Sequence, residues 1–111
     1  MSIILPFLRP PSVVILYLQN PRERYWGVVR ALDGTGIVIE GSDLDSFDDW
    51  MRQVASGEPG LEPSTTFFPS ARIEKVLVDA PAGDAPSLSQ KFERRTGRTL
   101  LSCLGSDAPP R

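Results

Sequence analysis

Histidine is absent from the sequence, and cysteine occurs once, at Cys103. The first absence removes Ser-His-Asp and Cys-His nucleophilic machinery, histidine general bases and the common zinc catalytic sites, all of which rest on an imidazole. The second removes an intramolecular disulfide and a Cys-x-x-Cys metal site, and it fits a reducing cytoplasmic setting. Positive charge is also short: Lys and Arg number 12 against 14 Asp and Glu, a formal net charge of −2. Strong non-specific nucleic-acid binders carry a basic excess that displaces counterions, so the chain as a whole does not read as one, although a local basic patch is compatible with this balance. Long apolar runs are missing too. The stretch IILPFL near the start is broken by Pro6 and has no Lys or Arg before it. It is too short for a secretory core or a membrane span and reads as an arm packed on the domain, with no membrane partner. Arg9-Pro10-Pro11 then forms a stiff hinge.

What is present suffices for one modest core. Apolar residues make up 41% of 111 residues, which argues against wholesale disorder and for a single domain. SVVILYL (12–18) is β-branched and aromatic with apolar residues on both faces, the pattern of a buried strand. QNPRER (19–24) is a turn. YWGVVRAL (25–32) is a second strand, and Gly27 inside it marks a bulge, a bend or a close backbone approach. Asp33-Gly34 opens a tight hairpin turn into IVIE (37–40), which Gly41 ends.

The period then changes. Phe47, Trp50, Met51 and Val54 stand at i, i+3, i+4 and i+7, predicting a helix over about 46–56. Ser46 is its expected N-cap, Asp48 and Arg52 an expected i,i+4 pair, and Gly57 its left-handed end. After a proline-rich loop, TTFF (65–68) is a strand, Pro69-Ser70 a sharp turn and RIEKVLV (72–78) a last strand. Residues 79–86, DAPAGDAP, form a linker. Ser87 and Gln90 make a capping box for a C-terminal helix over about 87–96, LLSCL is a trailing strand or docked tail, and SDAPPR frays. The expected organisation is an N-terminal arm (1–11), a barrel with an inserted helix (12–79), and a linker, C-terminal helix and tail (80–111).

With these elements placed, the opening half resembles the first motif of the Sm-like family, in which an apolar strand and a charged bend precede Gly-x-apolar-x-x-x-Asp. Gly27, Val29 and Asp33 stand at that spacing, after Val14, Leu16 and Leu18. FFPSARIEKVLV falls where that family has its fourth and fifth strands, and a generic SH3-like barrel follows a similar path. SFDDWMRQ followed by FFPSARIEKV also resembles an uncharacterised bacterial family, which brings no activity with it. The resemblance implies a mainly β, strongly bent, five-stranded Sm-like or SH3-like barrel. Its RNA site carries over poorly. The turn after Asp33 lacks the family's base-contacting Asn, and Ser70-Ala71-Arg72-Ile73 stands where Arg-Gly or Lys-His is usual. Ring assembly pairs edge strands, and Pro69 removes a donor near that edge.

Four groups invite a chemical reading. Asp43, Asp45, Asp48 and Asp49 do not fit a calcium loop, since Phe47, Asp48 and Val54 fall where an oxygen ligand, a glycine and a glutamate belong. Helix-start acids favoured by the macrodipole account for them. Arg22, Arg24 and Arg30, with Tyr25 and Trp26, are the best nucleic-acid group, arginines for phosphate and a ring for stacking. Against this, Tyr25 and Trp26 point to opposite faces and Glu23 dilutes the charge. Lys91, Arg94, Arg95 and Arg98 share one helical flank if the helix runs past Gly97, a pattern that more often marks a solvated face. Phe67 and Phe68 are adjacent on a strand, so one ring faces away from the core and offers an anchor. The reading is a non-enzymatic binding module with no catalytic residue, metal or cofactor. Its interaction surface is Thr66, Phe67, Phe68 and Trp50, for self-association or another protein. The alternative is an RNA-binding regulator using Arg22, Arg24, Tyr25 and Arg30.

Overall fold

The computed structural model describes residues 12–58 and 62–104. Five strands appear in chain order: β1 (Val13–Leu18), β2 (Glu23–Asp33), β3 (Gly36–Asp43), β4 (Ser64–Pro69) and β5 (Ile73–Val78). Two α-helices complete it, α1 (Phe47–Ser56) between β3 and β4, and α2 (Leu88–Thr96) after β5. The strands form one antiparallel sheet in the order β4-β3-β2-β1-β5. The molecule is therefore mainly β, as expected. The expected N-terminal arm (1–11) and frayed end (106–111) lie outside the described residues. Among the described residues no helix is long and apolar enough to cross a membrane.

The sheet is strongly bent, and the chain path shows why. β4 and β5 are its two outer strands, yet only a 3-10 turn of three residues, Ser70–Arg72, joins them. In a flat sheet strands spaced about 4.8 Å apart would put the outer two about 19 Å from each other. The link reaches at most about 14 Å even if fully extended. Ser70 N donates to Thr35 O at 2.9 Å and Gln19 N to Arg72 O at 2.8 Å, so this short turn runs from the β2–β3 hairpin to the β1–β2 turn. The curl folds the sheet over an inner core of Val14, Leu16, Leu18, Val29, Ile37, Ile39 and Phe68, with Ile73 and Val76 of β5 packed against it. Side chains from both outer strands thus meet on one face. Gly27 and Gly41 lie directly opposite each other across β2 and β3, where the backbones approach too closely for a Cβ.

The other face carries the helices. Trp26 and Val28 of β2 pack with Phe47, Trp50 and Met51 of α1, Phe92 of α2, and Leu100 and Leu104 of the tail. The rings are layered: Trp26 and Trp50 stack at 5.1 Å, Trp50 and Phe92 at 4.9 Å, and Phe47 meets Trp26 edge-on at 5.0 Å. One strand feeds both cores because β2 alternates, with Trp26 and Val28 outward and Val29 inward. The ladder with β3 slips between Val29 and Ala31. The bulge at Arg30 changes the parity, so Leu32 joins the inner core although its number is even.

Local details correct several expectations. Ser46 makes no side-chain cap; Asp43 caps instead, accepting from Ser46 N at 2.9 Å and starting a 3-10 turn that runs into α1. Arg52 bonds Asp49 at 2.6 Å, and Asp48 turns to Lys91 at 3.7 Å, so the Asp48–Arg52 pair does not form. The capping box of α2 is present, with Ser87 Oγ accepting from Gln90 N and Gln90 Oε1 from Ser87 N. Gly57 and Gly97 end the helices, both at φ 74°. Arg98 lies beyond that stop and leaves the flank of Lys91, Arg94 and Arg95. LLSCL is a docked tail with a 3-10 turn at Leu101–Cys103, not a strand.

Candidate interaction surfaces

The residues singled out from the sequence fall into three places. Arg22, Arg24 and Tyr25 line an open cleft of about 640 Å³ at one end of the sheet, with Tyr17, Glu23, Asp43, Asp45, Glu74 and Lys75. The β1–β2 turn supplies Arg22, β2 supplies Arg24 and Tyr25, the end of β3 supplies Asp43, and β5 supplies Glu74 and Lys75. Arg24 lies 3.6 Å from Asp45, and the Lys75 ammonium sits 4.7 Å above the centre of the Tyr17 ring. Tyr25 tilts against Phe68 with ring centres 4.9 Å apart. The cations Arg22, Arg24 and Lys75 thus share the cleft with the acids Glu23, Asp43, Asp45 and Glu74. Such a mixed lining exerts little net pull on phosphate.

Arg30 does not join this group, which corrects its place among the RNA residues. At the β2 bulge its Nε and Nη2 lie 3.1 and 3.0 Å from Glu40 Oε1, in a largely buried pair. Trp50 is likewise corrected as an interaction residue: it is 5% exposed, held in the aromatic stack, and reaches only a hollow of about 140 Å³ beside Ser42, Asp43, Ser46, Glu62 and Pro63. Core packing claims it because α1 needs its largest ring to cover Trp26.

The adjacent phenylalanines separate as a strand requires. Phe68 is 6% exposed and lies in the inner core, while Phe67 is 53% exposed on the opposite face. Thr66 is half-buried opposite Ile39. β4 pairs with β3 alone among the described strands, so its other edge presents open backbone groups next to Phe67. A second outer edge belongs to β5, which among the described strands pairs with β1 alone and shows Leu77 at 42% and Val78 at 50% exposure. The sequence marks RIEKVLV as the last strand without its neighbours, and only the strand order makes β5 an outer strand.

Other charged groups do structural work. Arg72 Nε donates to Gln19 O at 2.8 Å, and its Nη2 donates to Pro21 O at 3.1 Å and to Glu23 at 2.7 Å, tying the β4–β5 link to the β1–β2 turn. The Asp79 carboxylate accepts from Leu88 N at 2.7 Å, Ser89 N at 3.0 Å and Ser89 Oγ at 2.9 Å, anchoring the start of α2 to the end of β5. The Thr35 hydroxyl, and then its backbone N–H, hold the Asp33 carboxyl below the usual carboxylate range. Comparison of the chain with protein-family models, with curated proteins and with solved structures gave no match.

Proposed function

We propose that this chain is a non-enzymatic binding module on an Sm-like or SH3-like barrel, and that it engages other polypeptides, further copies of itself included, through the β4 edge. The barrel reading is supported by the strand order, the three-residue link between the outer strands and the inner core fed by both of them. The binding reading rests on one observation: Phe67 is 53% exposed on a strand whose outer edge pairs with no other described strand. Such an edge is a template for another strand, and the ring beside it supplies an apolar anchor. Phe68 and Thr66, on the inner face of the same strand, flank Phe67 in sequence. Light scattering across concentration tests this. A mass above one chain is expected, falling for Phe67→Lys while the far-UV spectrum stays the same. Identical mass curves for the parent and Phe67→Lys would overturn assembly through this edge.

RNA binding is the second reading, favoured by the convergence of Arg22, Arg24, Tyr25 and Lys75 on one cleft. Its test is titration of labelled oligo(U) and oligo(A) at low and moderate salt. Binding that weakens steeply with salt and vanishes on combining Arg22→Ala with Arg24→Ala supports it. Binding indifferent to both removes it.

A further inference from the structure

We infer that the outer edge of β5 pairs with the same edge of a second copy, antiparallel about a twofold axis at Leu77. The inference is independent of the β4 reading and concerns the opposite border of the sheet.

Hydrogen-bond direction comes first. Asp79 N donates to Val13 O at 2.9 Å, so odd-numbered residues at this end of β5 turn their backbone groups toward β1. Val76 and Val78, the alternate residues, turn theirs away from the sheet. The same segment exposes Leu77 at 42% and Val78 at 50%, two adjacent apolar side chains on opposite faces. A strand laid along this edge would satisfy the backbone and cover both faces at once, which a helix or a flat surface would not.

Pattern then selects the occupant and its register. A twofold axis perpendicular to the sheet pairs residues of the same parity. Centring it on Lys75 sets lysine on lysine, and on Glu74 glutamate on glutamate; like charges directly opposite are unfavourable. Centring it on Val76 sets Lys75 against Leu77 and Glu74 against Val78. Centring it on Leu77 sets leucine on leucine and Val76 against Val78, and brings Lys75 to Asp79 of the second copy, opposite in charge. Val76 and Val78 are also the residues with outward backbone groups, so their reciprocal pairing closes hydrogen bonds. Apolar match, charge match and hydrogen-bond direction agree only in this last register. β5 is therefore complementary to itself, and the occupant is a second copy.

Symmetric cross-linking tests the register. Leu77 would face its own copy in a non-hydrogen-bonded pair, with Cα atoms about 4.5 Å apart, within disulfide reach. In a Cys103→Ser background, Leu77→Cys is expected to form a covalent dimer on mild oxidation at concentrations where Lys75→Cys and Glu74→Cys do not. Light scattering of Phe67→Lys, whose β4 edge is disabled, is expected to rise to twice the chain mass with concentration, and adding Leu77→Lys to return it to one. The inference is overturned if Leu77→Cys cross-links no better than Glu74→Cys, or if Phe67→Lys stays monomeric throughout. Failure of the β4 reading looks different, since Phe67→Lys would then match the parent while the Leu77→Cys dimer still formed.

Discussion

At Gly41 a methyl group would lie 1.9 Å from the Trp26 carbonyl oxygen and 2.6 Å from the Gly27 Cα, both backbone atoms that cannot swing aside. Gly41→Ala is expected to destabilise the fold by about 3 kcal/mol, read as a lowered urea midpoint. The sequence marks Gly27 as a site of bending or close approach, but it shows no sign that Gly41 is its cross-strand partner. Asp33 illustrates a subtler residue effect. Its folded pKa lies below the ordinary 3.8, so the stability it contributes is present above the unfolded pKa and is lost as pH falls through the folded value. Asp33→Asn is expected to be less stable than the parent near neutral pH, with the two curves converging in strong acid; denaturant unfolding at several pH values measures it. At Phe67 and Phe68 the sequence says that one ring points out. Only the register, with Phe68 opposite Ile37, says which.

The elements were largely legible. Period-two and period-3.6 patterns lie within a few residues, so the five strands and two helices stand close to where the sequence places them. Capping was legible where it is local, as at Ser87 and Gln90, and misread where two neighbouring candidates compete, as at Asp43 and Ser46. The α2 element depends on a distant residue that no local pattern reveals. Asp79→Ala removes three hydrogen bonds at its N-terminus and is expected to cost about 2 kcal/mol, with faster amide exchange in α2. Asp49→Ala, which breaks an exposed pair on α1, is expected to cost less than about 0.5 kcal/mol. Phe92→Ala is expected to cost about 3–5 kcal/mol, because it removes a fully buried ring from the Trp26–Trp50 stack; the same urea titration reads all three.

At the scale of the whole molecule, the curl of the sheet decides what is available for binding. It turns one face inward, leaves the other to α1, α2 and the tail, and keeps β4 and β5 as the outer strands among those described. Residues distant in sequence become neighbours, so Tyr17, Arg24, Asp43 and Lys75 share one cleft. The packing of α1 on the other face withdraws Trp50 into the interior, and the β2–β3 pairing leaves Arg30 against Glu40.

The sequence by itself determined the mainly β class, the order of the elements, their turns and most of their caps, since those depend on side chains within one strand or one helical turn. It also excluded histidine chemistry and a disulfide within the chain. Tertiary structure alone decided which strands are edges, which aromatic ring faces solvent, where the β2 bulge reverses parity and which charges meet. Each of those is set by partners on other strands, whose contacts exist only once the strands have come together.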